Sequence, residues 1–546
     1  MSLRYVPLQT PEEWVSLSEA LADGRPRVSV LTNILAYARD WLGAKGAVVE
    51  NDYVDRDYRD EFVGVYAKCF RSYSDRCARV HFFTRPIRTS RSLPGAHSDY
   101  LGFMVIRPVE AGLVGRTVLK PWCAAAGDTV YPLCTAEYRV HLNGVEFAVT
   151  GAPFIEQDRM AITCAQASMW MSLRYLSAAL GSPLRGPYEV SDFAAGDSPF
   201  EQRVVPARGL TWWSMLQGFR KLGFGTNLLL RPAVDPQAND PYWTAGWDPI
   251  ASVYACVESR MPAIVGFDGA GREGHAMTVV GHIHSSAALD INLALDRAAR
   301  TDYKGGKSVV SSHEWVQAVL VHDDQTGPYR VLPVSRAARQ DIAAGPYAGL
   351  LTRDEYGSLV DDVTGVLAPL PDKLYLDATA AEAASVAYLT QDPVRLRIWQ
   401  AYNAGITAAG ELLVSMETVA GDPMVVRSYY MRSSDFKDKL RAEPLGSQMH
   451  STVRTKYASA SMPTYIWIVE LSTQSRISGA TEADRQIVGE LVLDATANIL
   501  DWYPFLFCHL PGVLREFDRA GSWKTPVKEW RLDGDQPYGH HTRKAP

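Results

Sequence analysis

Cysteine is scarce in this sequence, and its spacing forms no recognisable framework. Seven cysteines are spread over 546 residues, at positions 69, 77, 123, 134, 164, 256 and 508. No C-x-x-C pair occurs, which argues against a zinc knuckle or a thioredoxin-type motif. A sparse, odd set suits a reducing compartment without disulfides. No stretch approaches the roughly 18 consecutive apolar residues that a spanning helix needs, so no membrane span is expected. The N-terminus, MSLRYVPLQTPEEW, lacks a basic segment followed by an apolar core. No signal peptide is therefore expected, and cytoplasm is the default location. There is no repeat period and no long low-complexity tract. A strong positive field is also missing. The formal net charge is -6, which argues against a general nucleic-acid binder. What remains is 47% hydrophobic and 21% charged, the balance of a globular chain long enough for two to four domains.

The pattern of elements divides into four regions. Residues 1–95 read as mixed, with helical spacing in PEEWVSLSEALADG and in VSVLTNILAYARDWLGAKG. Residues 96–155 read as strands: YLGFMVIRPV, GRTVLKPW and YRVHLNGVEFAVTG. The Asn143-Gly144 step in the last of these signals a hairpin. From 156 to 335 come helices after Cys164, in LTWWSMLQGFRKLGFG stopped at Gly223, and in WDPIASVYACVESRMP. The strand-like runs AIVGFDG, GHAMTVVGH and WVQAVLVHDD follow. Helices first and strands after is an α+β order. Residues 336–546 are mixed again, with helical segments near 380–415, strand-like TYIWIVEL and ELVLDA, and no chemical motif.

The stretch IEQDRMAITCAQASMWMSLRYLSAAL, residues 155–180, holds the first candidate for chemistry. Met169, Leu173, Leu176 and Leu180 recur at helical spacing, which sets Cys164 at or near a helix's first turn. The helix dipole and unpaired amides there favour an anion, and the thiolate is the nucleophilic form of cysteine. A free cysteine also commonly serves as a small packing residue, and position alone leaves that reading open. A nucleophile needs a base. His275 follows a glycine-rich loop and opens an apolar, β-prone run in GREGHAMTVVGHIH, where a junction can present an imidazole to a cleft. A third group must orient the base. Asp323 and Asp324 end the run AVLVHDDQTGPY, within reach of a histidine on a neighbouring strand, although aspartates before a Gly-Pro turn commonly just cap it.

Other features are read more plainly. His282 and His284 alternate with Ile283 on one strand face; without a carboxylate or cysteine to complete a metal site, two solvent-facing histidines is the expectation. Neither a metal nor a cofactor is expected. The run Gly269-Ala-Gly271-Arg-Glu-Gly274 matches the dinucleotide fingerprint, but β-branched sequence follows where a helix would have to open, so nucleotide binding is not expected. Trp212, Trp213, Trp243 and Trp247 can line an extended-peptide cleft, with ordinary packing as the simpler role.

Taken in order, Gln157, TCAQASMWMSLRYL with Cys164, LTWWSMLQGFRKLGF, SRMPAIVGFDGAGREGHAMTVVGH and VLVHDDQTGPY resemble the papain-like cysteine peptidases. The resemblance is nearest to the bacteriocin-processing, C39-type peptidases, and it covers about residues 155–335. It implies a helix bearing the cysteine packed on an antiparallel sheet bearing His and Asp. Flanking N- and C-terminal mixed α/β domains would complete the chain. It also implies a Cys164–His275–Asp323 triad with Gln157 in the oxyanion hole, acting on a peptide or isopeptide bond of a peptide or protein substrate. Three departures stand out: Ala165 replaces the family's usual glycine, Gln157 stands seven rather than six residues before Cys164, and Asp323 is followed by Asp324 rather than proline. The third member is accordingly Asp323 or Asp324, with Asp323 favoured. Two other readings use the same residues: transglutaminase- or deamidase-type acyl transfer on glutamine, and a papain-like scaffold that binds without catalysis.

Overall fold

In a computed structural model, the structure describes residues 2–26, 28–123, 129–195, 209–232, 247–268, 274–284, 309–390, 424–442, 449–474, 486–497, 504–517, 527–535 and 538–539. Trp243 and the loop from Gly269 to Gly271 lie outside them. The fold is α+β with antiparallel sheets. The chain forms two compact units from interleaved segments. One comprises Met1–Arg231, Arg260–His284 and Gln317–Leu370; the other comprises Pro232–Ser259, Ser285–Val316 and Pro371–Pro546. Among the described residues no helix is long and apolar enough to cross a membrane.

Among the described residues the first unit holds two large sheets and a separate two-stranded hairpin. One runs in the order Leu3–Pro7, Gly46–Tyr53, Cys77–Phe83, Tyr100–Ile106, Val114–Leu119, Pro153–Phe154, with every pair antiparallel. Two helices accompany it. Pro11–Ala22 starts at Thr10, whose hydroxyl accepts from Glu13 N while the Glu13 carboxylate accepts from Thr10 N, a reciprocal cap. Ser29–Asp40 follows it. The hairpin expected at Asn143-Gly144 is present between Ala136–Leu142 and Val145–Gly151. Both turn residues take positive φ, 48° and 80°, the left-handed pair that a two-residue hairpin turn requires.

The second sheet carries the candidate chemistry. Its order is Gly225–Leu230, Val363–Leu370, Ala263–Phe267, His275–His284, Val316–Asp323, Gly327–Pro333. Thr129–Tyr131 adds antiparallel to the far end of His275–His284. All ten residues of His275–His284 are buried, which explains a run almost free of charge: a strand covered on both faces has no solvent side to keep polar. The helix Cys164–Leu180 lies against this strand. Ser168 Oγ donates to Ala276 O at 3.2 Å, and Thr278 Oγ1 donates to Ser168 O at 3.1 Å. These bonds satisfy polar groups that burial would otherwise penalise. The helix is buried continuously from Cys164 to Leu176 and stops at Gly181, with φ 71°. Trp212 of the helix Trp212–Lys221 covers the sheet where Gly266 and Gly365 leave room; a Cβ on either glycine would stand 2.4 or 2.5 Å from the indole.

His282 and His284 depart from the sequence expectation. They share one strand face, but they are buried rather than solvent-facing, 1% and 9% exposed. Tyr131, delivered by the added edge strand, sets its ring 5.2 and 5.4 Å from theirs. Alternation placed them on a common face; a partner strand recruited from residues 129–131 covered them.

The second unit is built on a seven-stranded sheet in the order Val309–Ser311, Met424–Arg432, Tyr465–Thr473, Gly489–Asp494, Phe505–Leu510, Val513–Glu516, Lys528–Arg531. The first pair is parallel and the others antiparallel. Tyr429, Phe436, Tyr457, Ile466 and Ile468 anchor its core. Arg427 is buried between Glu258 and Glu470, with ion-pair distances of 2.6 Å to each. Two carboxylates sharing one guanidinium compensate charges that would otherwise be costly to desolvate.

Candidate active site

Three segments of the first unit converge on His275. The first brings Cys164. After Pro153–Phe154 the chain is held by Arg107, whose guanidinium donates to Glu61 at 2.7 Å and to Glu156 O at 2.7 Å. The Asp158 carboxylate then accepts the backbone N–H groups of Met160, Ala161 and Ile162 at 3.0, 2.9 and 2.9 Å. It also receives the Tyr66 hydroxyl. This carboxylate-centred turn, with Arg159 at φ 61°, reverses the chain and delivers Thr163 as the N-cap and Cys164 as the first helical residue. Gln166 Oε1 accepts from Thr163 N at 3.2 Å and from its hydroxyl. Cys164 is therefore at a helix N-terminus, where backbone N–H groups are unspent and an anion is favoured. It is 9% exposed, with Sγ 3.8 Å from Gly274 O.

The second segment is the start of the strand His275–His284, paired through Phe267↔His275 to its neighbour. The third is the end of Val316–Asp323. Its register with Gly327–Pro333 shifts between Val321 and Asp323, a bulge of the kind that re-aims a side chain. His275 Nε2 lies 2.9 Å from Asp323 Oδ1 and 3.9 Å from Asp324 Oδ1. Only the first is a hydrogen bond. Asp323 serves the turn as well. Its Oδ1 accepts Gln325 N at 3.0 Å and its Oδ2 accepts the Thr326 hydroxyl at 2.5 Å. Turn capping and imidazole orientation, alternatives in the sequence, are carried here by one carboxylate.

The electrostatics follow from burial and pairing. Burial alone would push the His275 pKa down. The Asp323 charge and hydrogen bond, the hydrogen bond with Cys164 and the Asp324 carboxyl outweigh it and raise His275 well above its ordinary value. Burial would likewise raise Asp323, but His275, Thr326 and the Gln325 N–H hold it below its usual range. Asp324 has less help. Neither of its oxygens has a hydrogen-bond partner among the described residues. Burial, with Asp323 and Glu156 nearby, pushes it up to about 8 despite the opposing effect of His275. The two adjacent carboxyls are thus driven apart, Asp323 downward and Asp324 upward, because like charges in a dry site cannot both ionise cheaply.

Three residues that carried no sequence signal complete the site. Tyr356 stacks on the imidazole, with centroids 4.5 Å apart and planes at 25°, and its ring also meets Phe267. An aromatic face over the ring keeps water from the Nε2–H···Oδ1 bond and favours a cationic imidazole. Gln325 Nε2 lies 3.1 Å from His275 Nδ1. Arg353 donates to Gln325 Oε1 at 3.0 Å and to Gln325 O at 3.3 Å. Gln325 follows the aspartate pair directly, so its place beside the histidine follows from that of Asp323; Tyr356 and Arg353 arrive from a separate loop.

Gln157 is half-buried in the loop ahead of the Asp158 turn, its backbone oxygen against Gly112. Among the described residues its side chain forms no hydrogen bond, to Cys164 or to anything else. Trp212 packs on the sheet as described, and Trp213 is 69% exposed. Trp247 is buried within the second unit. His275, Asp323 and Asp324 place one nitrogen and two carboxylate oxygens within 4.8 Å of one another. That spacing is compatible with a metal ion, but Nε2 and Asp323 Oδ1 already share a proton there. Comparisons of the chain with protein-family models, with curated proteins and with solved structures return no match.

Proposed function

We propose that the protein is a thiol-dependent hydrolase of papain-like type, with Cys164 as nucleophile, His275 as general base and Asp323 as the orienting acid, acting on a peptide or isopeptide bond. The observation that carries this reading is an imidazole fixed by Asp323 on Nε2 at 2.9 Å beside a helix start whose Cys164 Sγ lies 3.8 Å from the carbonyl oxygen of Gly274, the residue before His275. Asp323 fixes the proton on Nε2, so Nδ1 is the free base. A helix bearing the cysteine, laid on an antiparallel sheet bearing His and Asp, agrees with the papain-like resemblance.

In this mechanism Nδ1 takes the thiol proton, and the resulting imidazolium is stabilised by Asp323 and the Tyr356 face. The thiolate adds to the substrate carbonyl. The oxyanion is held by backbone N–H groups at the helix start, which include that of Cys164. His275 then protonates the leaving amine, the acyl-enzyme forms on sulfur, and water releases the acid with His275 as base. Incubation with a peptide library, quenched in acid and read by intact mass, is the direct test. A thioester adduct mapped to Cys164, with cleaved peptides that vanish in Cys164→Ala, is the expected result. Cleavage that persists in that variant would reject the assignment. Ammonia release with intact peptides would point to the deamidase reading instead.

A further inference from the structure

The amide of Gln325 occupies the one ring nitrogen that the mechanism needs. Nε2 of His275 is engaged by Asp323 at 2.9 Å, so the thiol of Cys164 must deliver its proton to Nδ1. Gln325 Nε2 stands 3.1 Å from that same atom. The orientation of the amide is fixed from outside, because Arg353 donates to Gln325 Oε1 at 3.0 Å. A guanidinium only donates, so the oxygen faces Arg353 and the NH2 group faces the ring. With Nδ1 unprotonated this is a good hydrogen bond. Once Nδ1 carries a proton, two donors meet and the contact turns repulsive. Rotating the amide in place would set its NH2 against Arg353, a second clash of donors. The side chain must therefore leave the ring whenever the thiolate–imidazolium pair forms. Its backbone stays anchored through Gln325 N to Asp323 Oδ1 at 3.0 Å and through Gln325 O to Arg353 at 3.3 Å. A freed amide on a fixed backbone, next to the nitrogen that the mechanism assigns to the thiol proton, is a donor free to turn toward the reacting carbonyl.

We infer that Gln325 is a working part of the catalytic cycle: in the neutral thiol–imidazole state its amide caps the base nitrogen of His275, and in the ion-pair state the displaced amide stabilises the oxyanion as a side-chain donor. This rests on the thiol-hydrolase reading above. It assigns Gln325 two opposite effects, restraining thiolate formation and assisting acyl transfer, and a merely structural residue has no reason to show both. Arg353 is a positioning residue that holds the cap.

Two small probes separate the effects without knowledge of the natural substrate. Iodoacetamide alkylates the thiolate by displacing iodide, so no oxyanion forms. With p-nitrophenyl acetate the sulfur adds to the carbonyl carbon, and the carbonyl π pair moves to oxygen. Collapse of the intermediate expels p-nitrophenolate and leaves a thioester on Cys164. A burst of p-nitrophenolate in the wild type that is lost in Cys164→Ala tests the underlying reading by itself. If the wild type gives no such burst, that reading fails, and the inference with it. Given the burst, Gln325→Ala should alkylate faster, by roughly three- to tenfold for one uncapping hydrogen bond, yet acylate more slowly, by about 100-fold for one lost oxyanion donor. Arg353→Ala, which frees the amide but keeps it, should alkylate faster without slower acylation. If Gln325→Ala moves both rates together, or leaves acylation unchanged, the inference is wrong while the triad stands.

Discussion

Asp323→Asn is expected to slow acylation of Cys164 by on the order of 10³- to 10⁴-fold while leaving the fold intact. The size follows from the tautomer. An ionised carboxylate only accepts, so it keeps the imidazole proton on Nε2 and leaves Nδ1 basic. An asparagine presents an NH2 group as readily as an oxygen. Donating to Nε2, it drives the proton to Nδ1, the base nitrogen is blocked, and the imidazolium loses its counter-charge. Asp324→Asn makes the natural control. Asp324 lies 3.9 Å from Nε2, outside hydrogen-bonding distance, and does not set the tautomer. The burst rate with p-nitrophenyl acetate distinguishes the two. A large loss at 323 with a far smaller one at 324 is expected; the reverse order would move the orienting role to Asp324.

The second large effect belongs to Asp324, and it is an effect of pH on stability. Its folded carboxyl is pushed up to about 8 by burial, whereas in the unfolded chain it ionises near an ordinary aspartate value of about 3.9. The unfolded state therefore sheds a proton that the folded state keeps. Stability from this group is fully present below the unfolded value and is lost as pH rises toward 8, at a rate approaching about 1.4 kcal/mol per pH unit. Asparagine ionises in neither state. Urea unfolding of wild type and Asp324→Asn should show the variant gaining on the wild type steadily from pH 5 to 8. His275 and Asp323 are present in both proteins, so the difference reports the loss of Asp324 together with its coupling to them. Parallel stability curves would mean that Asp324 is solvated or paired, contrary to its two unpartnered oxygens.

Local signals in the sequence located the elements well and the pairings poorly. Asn143-Gly144 marks its hairpin because only a few residues tolerate left-handed turns. The helix after Cys164 shows in Met169, Leu173 and Leu176 because helical spacing is a local property. The strand His275–His284 shows in its apolar run. What the sequence did not reveal is non-local. Val363–Leu370, read as part of a separate C-terminal region, sits in the same sheet as His275, inserted between Gly225–Leu230 and Ala263–Phe267. Thr129–Tyr131 closes over His282 and His284 in the same way. No periodicity reports which strand another will choose. The same limit applies to the site. Cys164, His275 and the aspartate pair stand out because each sits at an element boundary beside residues suited to its chemistry. Distance alone separates Asp323 from Asp324. Tyr356 and Arg353 come from a loop with nothing in its sequence to tie it to a histidine some 80 residues earlier, and Gln325 matters only because Arg353 orients it.

The reaction most sensitive to the proposed arrangement is alkylation of Cys164 by iodoacetamide at pH 7, followed by mass on the intact protein and compared between wild type and His275→Ala. A sulfur that shares its proton with an imidazole should lose roughly 100-fold in rate when that general base is removed, and the histidine variant should recover only as the pH is raised and the thiol ionises unaided. Equal rates in the two proteins at pH 7 would show that sulfur and imidazole do not act together, and the hydrolase assignment would have to be withdrawn.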